Sequence, residues 1–487
     1  MTMASLLGIL VFVIGVPAVA ACLFAFPHKR RLFLSVMVFS ICYVKKPLYQ
    51  EVFFVNYRGV DRGFAVTVPD LLFFGFLAWM MAGGLREKIR WLPFNSIPWF
   101  LLIIVSGFSL IGSIEPLYGL FTIHKFIRCW ILYLVIVNLV RDRADVMAVL
   151  TALAACVVFE GCNVLWAKYI TKEVVARSLG TFRHPNTLAM FTDLILPLLM
   201  GSLMTGALIR KQRILFSAAL LLGFVAVLFT KSRAAMILLP MSLGTVALIS
   251  VAMRPTGRKF GILLIGVAAI GIITLLALPR LIKRFESAPK ESAETRGYFN
   301  DAAKAMANEN LFGVGINLFS HSLAESDYYW YVYPDKTEVD DPEAFRETTQ
   351  GQSRLGTAHH IYWLYAAETG YPGLLAFLLH TGLFSAYNLI YFLREKDHLF
   401  KSILLGMLVG TTIHHLHGVL EWIFRQTEVQ YLYFVLMGTM VAMVAIRRRE
   451  MAGPPSSRGK LSRPLKRVSI VPKPVMADRP SATGVPL

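Results

Sequence analysis

Charged residues are scarce in this sequence. They make up 16% of its 487 residues, against 56% hydrophobic residues, and the mean hydropathy is +0.58. An ordinary soluble domain has about 25% charged residues, so the composition excludes that class. Apolar stretches of about 17 to 25 residues recur along the chain, and each is long enough for a helix to cross roughly 30 Å of hydrocarbon. The composition therefore predicts a polytopic membrane protein.

The sequence has few cysteines, and it has no basic region before its first apolar stretch. The few cysteines all lie in apolar stretches and show no metal-ligand spacing, so we expect neither a zinc site nor a disulfide. They are Cys22, Cys42, Cys129, Cys156 and Cys162. The first apolar stretch, at residues 5–26, lacks a basic region before it and is longer than the core of a signal peptide. We expect this stretch to be retained as a spanning helix.

The basic residues lie in short clusters between apolar stretches. The chain has 49 Lys and Arg against 30 Asp and Glu, but the excess is spread over alternate connections and a C-terminal tail. This arrangement is typical of membrane topology, so we expect no nucleic-acid partner. The clustered connections are residues 28–31, 86–90, 141–143, 210–213, 254–259 and 394–401. They are predicted to face the cytoplasm, together with the C-terminus, and the other connections are predicted to face the periplasm.

Hydropathy predicts an all-α membrane bundle of about 12 to 13 transmembrane helices. The predicted spans are 5–26, 29–45, 66–84, 97–112, 119–140, 146–170, 187–206, 213–230, 233–252, 260–279, 361–393, 400–418 and 427–446. We divide the chain into N-terminal transmembrane helices at 1–170, a core at 171–446 and a basic, disordered cytoplasmic tail at 447–487. The core includes a large periplasmic loop at 280–359, with short helices expected near 292–308 and 314–324.

Arginines in the predicted outer connections are candidates for binding an anion. Arg233 lies in a tight turn between two apolar stretches, on the side that normally has few basic residues. A guanidinium fork matches phosphate oxygens and stays charged, although a helix-ending arginine can also simply snorkel to the surface. Arg183 and His184 precede a predicted helix start, which itself favours anions, but they also fit an ordinary turn.

The large loop adds a third arginine and a pair of histidines. Arg296 opens an amphipathic segment that leads to a predicted close-packed turn at Gly313 and Gly315, and it is either a phosphate ligand or a solvated residue. His359 and His360 lie where the loop enters a span. A histidine there can exchange protons near neutral pH, or it can simply cap the helix.

Further polar residues give additional candidates. His124 and Arg128 share a helical face, where they are either functional or part of an internal salt bridge. Glu368 follows the two histidines by about two helical turns. A surface ion network is expected among Glu421, Arg425 and Glu428. The histidines at 414, 415 and 417 have no convergent carboxylate pair, so we predict no metal site and no cofactor.

Taken together, these motifs resemble the O-antigen ligase and polymerase family. The resemblance rests on residues 180–186, Ser232–Arg233, Arg296 with the glycine turn, and Ala358–His359 followed by residues 368–370. The motifs extend over residues 180–395, and the helical plan extends over the whole chain. His360 stands where the family commonly has asparagine, which leaves open whether His359 or His360 acts. We favour His359 by position.

The resemblance implies a metal-independent transferase. It implies transfer of glycan from an undecaprenyl diphosphate carrier to an acceptor hydroxyl, with His359 as general base or acceptor-orienting residue. Arg233 and Arg296 would bind the diphosphate, with Arg183 as a further candidate. The expected setting is the bacterial inner membrane with the site facing the periplasm, during lipopolysaccharide or exopolysaccharide biosynthesis. The expected partners are an acceptor glycan or lipid core, membrane lipids and the polysaccharide assembly machinery.

Several alternatives stay open at this stage. No residue distinguishes a ligase from a polymerase, and inversion at the anomeric carbon is a hypothesis. A transporter or flippase for lipid-linked sugar is the alternative from another class, but such proteins place polar groups near the bilayer midplane and often show inverted repeats. The candidates here cluster at predicted span ends, and no matching halves are evident. A purely structural assembly protein is the third interpretation.

Overall fold

The computed structural model describes residues 3–44, 48–50, 60–85, 87–171, 177–286, 290–333, 341–348 and 355–452. Met1–Ile446 form one compact unit and Arg447–Leu487 a second. Of the second unit, the structure describes the last six residues of the final helix, where Arg447 donates to Glu450. The remainder of the predicted tail, residues 453–487, lies outside the described residues, so its disorder stays a prediction.

The described chain is almost entirely helical. Two short strands, β1 (Tyr49–Gln50) and β2 (Ala65–Val66), pair antiparallel. The α-helices are α1 (Met3–Ala25), α2 (Arg30–Phe39), α3 (Val68–Trp79), α4 (Ser96–Phe108), α5 (Pro116–Leu139), α6 (Arg143–Tyr169), α7 (Pro185–Met204), α8 (Arg210–Thr230), α9 (Arg233–Met253), α10 (Gly257–Glu286), α11 (Lys290–Glu309), α12 (Phe319–Glu325), α13 (Pro342–Glu347), α14 (Ile361–Arg394), α15 (His398–Gly418) and α16 (Thr427–Ala452).

These helices confirm the predicted all-α polytopic membrane bundle. Within the described ranges, nine helices are long and apolar enough to cross a membrane, namely α1, α5 to α9 and α14 to α16. The shorter apolar helices are Val68–Gly84 and Ser96–Phe108. The span predicted at 29–45 is an α-helix of only 10 residues, followed by a tighter turn at Ser40–Tyr43. At about 1.5 Å of rise per residue, α2 itself is too short to cross the hydrocarbon.

Helix α7 forms the centre of the bundle, and the most apolar part of it is fully buried. It packs against α8, α9 and α15. Glycines bring α7 and α15 into close contact, because a Cβ on Gly406 would lie 2.5 Å from the Pro197 carbonyl oxygen. Small residues allow such close helix approach where lipid provides no hydrophobic drive. The contact fixes the beginning of α7 and the end of α15 relative to each other.

The basic connections meet at one end of the bundle, which we call the basic end. Arg30 pairs with Asp145 at 2.7 Å, Arg143 pairs with Asp397 at 2.8 Å, and Arg254 contacts His398 at 2.7 Å. These pairs join the beginnings or ends of helices far apart in the sequence. The alternate basic connections therefore share one end, as their spacing predicts.

At the opposite end, the large loop folds back onto a kink in α14. Gly370 has a φ of +67° and interrupts this helix. The Val314 amide donates to the Ala367 carbonyl at 2.9 Å, and the Gly315 amide donates to the Glu368 carbonyl at 3.1 Å. The predicted glycine turn is thus confirmed. Because the turn occupies residues 313–315, α12 begins only at Phe319, whereas it was predicted to begin near residue 314.

Glycine is required at position 313 for two reasons. Its φ is +74°, a backbone conformation that side chains disfavour, and a Cβ would lie 2.5 Å from the Glu368 carbonyl carbon. We expect Gly313→Ala to destabilise the protein by about 1 to 3 kcal/mol through backbone strain and steric conflict. Thermal unfolding in detergent should show a transition several degrees lower.

Gly244→Ala in α9 is the matched control, because nothing lies within 4 Å of its Cβ position. This variant should unfold at the temperature of the wild type or slightly above it, since alanine favours a helix. Equal unfolding temperatures for Gly313→Ala and the wild type would contradict the close packing of the turn.

Candidate active site

Five segments meet at the end of the bundle opposite the basic end. They are the approach to α7 with the start of that helix, the turn from α8 to α9, the middle of α11, the residues before α14 and the connection after α15. Hydrogen bonds link Arg177 to Asn186, Asn186 to Glu421 and Glu421 to Arg296. Arg177 also donates to the Thr230 carbonyl at the turn that leads to Arg233, and the charge of Arg296 acts on His359. We call the resulting group of Arg177, His184, Asn186, Arg233, Arg296, His359 and Glu421 the polar cluster.

Glu421 lies at the centre of the polar cluster. Its Oε1 accepts a hydrogen bond from Asn186 Nδ2 and one from Arg296 NH2, the latter at 3.1 Å. Arg296 NH1 also donates to the Leu420 carbonyl at 3.4 Å. Glu421 is 3% exposed, and its Oε2 is buried with no hydrogen-bond partner in the part of the chain that the structure describes. This carboxylate ties α11 in the large loop to the start of α7.

The burial of Glu421 also affects its acidity. Desolvation raises the pKa of the Glu421 carboxyl above its ordinary value, while the charge of Arg296 opposes this rise most strongly. His417 and Arg177 oppose it to a smaller degree. Ionised Glu421 therefore depends on the cations around it, and Arg296 is the one that contacts it directly.

Arg177 connects the turn between α8 and α9 to the same cluster. Its Nε donates to the Thr230 carbonyl at 2.8 Å, and its NH2 donates to Asn186 Oδ1 at 2.5 Å. Arg177 is not among the site residues predicted from the sequence. The signal used for Arg233, a basic residue in a predicted outer connection, applies to this arginine as well.

Arg233 is the first residue of α9, and its guanidinium N–H donors are not used by the described residues. Ser232 precedes it as the N-cap, and the left-handed Lys231 ends α8 with a φ of +53°. The Arg233 side chain is half-buried, and across the described residues no hydrogen bond or ion pair joins it to another group. Arg183, by contrast, is exposed just before the start of α7. Of these two predicted anion-binding residues, Arg233 has the position better suited to a partly enclosed ligand.

The two histidines that precede α14 have different surroundings. His360 Nδ1 accepts from the Trp363 amide at 3.3 Å and caps the helix. The His359 ring stacks on Phe299 with ring centres 6.3 Å apart, and its Nδ1 is buried without a partner among the described residues. The charge of Arg296 acts on His359. His359 therefore faces the polar cluster, whereas His360 already has a structural role.

Burial keeps the histidines of the cluster neutral. Desolvation, followed by the charge of Arg296, lowers the pKa of His359 to about 4. Desolvation, Arg177 and Arg296 lower the pKa of His184 to about 4 as well. His184 Nδ1 accepts from the Asn186 amide at 3.2 Å, which makes it the N-cap of α7. At neutral pH the one acceptor nitrogen of His184 is therefore occupied, whereas the neutral imidazole of His359 can still accept a proton or a hydrogen bond.

The other predicted candidates lie in internal ion pairs or aromatic contacts. Arg128 pairs with buried Asp70 at 2.7 Å, and Glu368 pairs with Arg425 at 2.6 Å. The His124 ring packs against Phe64 with ring centres 5.3 Å apart. These contacts agree with the internal-pair interpretation of Arg128, and they give Glu368 a structural partner.

The predicted ion network among Glu421, Arg425 and Glu428 is wrong. Glu421 pairs with Arg296, and Arg425 pairs with Glu368, so neither makes an ion pair within the proposed trio. Both partners come from the large loop or the helix that follows it. Tertiary folding brings them closer than the residues adjacent in sequence.

His417, near the end of α15, pairs with a carboxylate on α7. His417 Nδ1 contacts Asp193 Oδ2 at 3.0 Å, and both side chains are fully buried. Within the described ranges, no group of three or more His, Cys, Asp or Glu residues is arranged to hold a metal ion. The predicted absence of a metal in the reaction stays a prediction.

The central part of the chain is similar to a known family. Residues 218–378 match the family model described as O-Antigen ligase, which is about a third of the chain. The matched range contains Arg233, Arg296, His359 and Glu368, and it leaves out Arg183 and Glu421. No curated protein matches the chain. The family match confirms the resemblance that the motifs indicate.

The lowered pKa of His359 predicts a pH dependence of stability. Below its ordinary value of 6.5 the unfolded chain binds a proton that the folded chain does not bind until about pH 4. Folded stability should therefore fall as the pH decreases from about 6.5 to about 4. In His359→Gln this contribution is absent, so the unfolding temperature should fall less between pH 7 and pH 4.5.

His28→Gln provides the control for this measurement. His28 is exposed at the basic end, far from the polar cluster along the bundle. Its variant should keep the wild-type pH dependence. If His359→Gln lost as much stability on acidification as the wild type does, the buried, neutral state of His359 would be contradicted.

Proposed function

We propose that this chain, a membrane protein with an O-antigen ligase domain at residues 218–378, transfers glycan from an undecaprenyl diphosphate carrier to an acceptor hydroxyl. The observation that carries the proposal is the meeting of Arg296 with a neutral histidine, His359, at the bundle end opposite the basic connections. The reaction needs a group that binds the leaving diphosphate and a group that accepts a proton. These two residues meet both needs within one cluster.

Arg233 and Arg296 are the proposed diphosphate ligands. Displacement of a diphosphate from an anomeric carbon develops negative charge on the leaving oxygen, and fixed guanidinium groups stabilise such charge. Arg233 has no competing partner among the described residues, and Arg296 uses two donors on Glu421 and Leu420. A guanidinium has five N–H donors, so Arg296 keeps three for a phosphate. Arg183 is a further candidate at the exposed edge.

His359 is the proposed proton acceptor. The acceptor hydroxyl loses its proton to the imidazole while its oxygen forms the new bond to the anomeric carbon, and the bond to the diphosphate oxygen breaks. The pKa of about 4 keeps the imidazole unprotonated at neutral pH, although it also makes His359 a weak base until the substrate changes its surroundings. A role in orienting the acceptor hydroxyl fits the same position.

The proposed setting is the bacterial inner membrane. Basic connections prefer the cytoplasm, which favours a cytoplasmic basic end and a periplasmic polar cluster. The acceptor would then be a growing glycan or a lipid core on the periplasmic side, with the polysaccharide assembly machinery as a partner. The arginines supply positive charge directly, so we propose that no divalent metal takes part.

Transfer by the purified protein tests this proposal. Undecaprenyl diphosphate glycan would be supplied with a panel of glycan and lipid-core acceptors, with and without a chelator. We expect chelator-resistant product from the wild type. Loss of one transition-state donor or of the proton acceptor typically lowers the rate by about 10² to 10⁴, so we expect losses of that size for Arg296→Ala, Arg233→Ala and His359→Ala. The product mass would separate a polymer from a ligated glycan.

Arg213→Ala is the matched control, because Arg213 is exposed near the basic end of α8. This variant should keep wild-type turnover. Full activity in His359→Ala would contradict the assignment of His359 as proton acceptor. Loss of activity with the chelator would contradict the metal-free mechanism. Movement of the lipid-linked sugar across vesicles without product would favour the transporter.

The proposed direct displacement also predicts the stereochemistry of the product. A single attack from the face opposite the diphosphate inverts the anomeric carbon. Nuclear magnetic resonance of the donor and the product should therefore show opposite anomeric configurations. Retention would require a covalent intermediate or an attack from the same face, and it would contradict the direct role of His359.

A further inference from the structure

Three residues associated with Arg296 have a buried polar atom without a hydrogen-bond partner. Glu421 Oε2, His359 Nδ1 and Asn300 Oδ1 are all buried, and none has a hydrogen-bond partner in the described parts of the chain. Asn300 lies four residues after Arg296 on α11, so the two residues share a helical face. Buried polar atoms are nearly always hydrogen-bonded in native proteins. A ligand that fits here must therefore bring donors of its own.

Glu421 offers the strongest of these acceptors. It is 3% exposed, and its Oε1 is already held by Arg296 and Asn186. The second oxygen of an ionised carboxylate accepts hydroxyl donors in short, charge-assisted hydrogen bonds. A donor at Oε2 would leave the contacts at Oε1 in place. The carboxylate can therefore bind a hydroxyl group while it holds Arg296.

The position of Glu421 relative to Arg296 identifies which hydroxyl it can reach. Under the proposed function, Arg296 binds the diphosphate, and a single oxygen joins that diphosphate to the first sugar of the donor. Arg296 NH2 is 3.1 Å from Glu421 Oε1. The first sugar and Glu421 are thus both neighbours of the same guanidinium. A phosphate would be repelled by the carboxylate, whereas a sugar hydroxyl would be attracted.

We propose that Glu421 binds a hydroxyl of the carrier-linked sugar through Oε2, which makes it a residue that recognises the donor sugar. This inference rests on the proposed function, because it takes Arg296 as a diphosphate ligand. It assigns Glu421 a role beyond holding Arg296. The residue lies outside the range matched to the family model.

Binding to carriers with and without a sugar tests the proposal. Full-length protein in nanodiscs would be titrated with undecaprenyl diphosphate alone and with undecaprenyl diphosphate that carries glucose, galactose or N-acetylglucosamine. We expect the wild type to prefer at least one sugar-bearing carrier by about tenfold, which is the effect of one hydrogen bond to a charged group. In Glu421→Gln the amide oxygen can still accept from Arg296. The preference, measured as the ratio of the affinities for the sugar-bearing and the bare carrier, should fall to near one.

Two further variants make the result specific. Glu395→Gln changes a half-buried glutamate directly after α14, in the basic connection away from the polar cluster, and should keep both affinities. Glu421→Asp retains the charge on a shorter side chain and should recover part of the sugar preference. Saturable binding of the bare carrier by Glu421→Gln also shows that the variant is folded.

The outcomes separate this inference from the proposed function. An equal loss of affinity for bare and sugar-bearing carriers in Glu421→Gln would show that Glu421 only holds Arg296, and it would overturn the inference. A wild type without preference for any of the three sugars would overturn it as well. Failure of the wild type to bind the bare carrier would contradict the diphosphate site itself, and with it the proposed function.

Discussion

Charges in this bundle must find partners within the protein, because hydrocarbon offers them none. This constraint explains the buried ion pairs that involve α5. Arg128 contacts Asp70 at 2.7 Å, and Lys125 contacts Asp61 at 2.6 Å. Removal of one partner would leave a buried charge without compensation, which typically destabilises a protein by about 3 to 5 kcal/mol. The pairs are therefore obligatory once the first charge is present.

The same constraint distinguishes the polar cluster from the structural pairs. Arg425 is fully buried and held by Glu368, and Lys125 donates to the Arg425 carbonyl at 2.6 Å. Arg233 has no comparable partner among the described residues, and Arg296 is 32% exposed despite its contact with Glu421. Arginines that are partly open can exchange water or a neighbour for an anionic ligand. Arginines that are enclosed and paired act on the fold instead.

The sequence predicted the helices well and the pairings poorly, for a physical reason. Hydropathy depends only on residues within one span, so the start of a helix can be predicted from local sequence. The predicted start of α7 at residue 187 is two residues from its observed start at Pro185. The turn at Gly313 was also predictable from local sequence, because positive φ values favour glycine and a close pair of glycines therefore indicates a turn. The ion-pair partner of Glu421 could not be predicted from the sequence, because Arg296 lies in a distant segment of the chain. Only the fold of the large loop over the bundle brings the two together.

This folding of the loop also explains why the polar cluster needs close helix packing. Glu421 follows α15, and Asn186 opens α7, so their hydrogen bond depends on how these two helices meet. Gly406 and Gly201 allow that meeting, because a Cβ on either would lie within 2.5 Å of the facing backbone. Arg296 then reaches Glu421 from the loop, which is itself fixed on α14 by the turn at Gly313 and Gly315. Glycines deep in the bundle and in the loop thus set the distance between the Arg296 guanidinium and the buried Glu421 carboxylate.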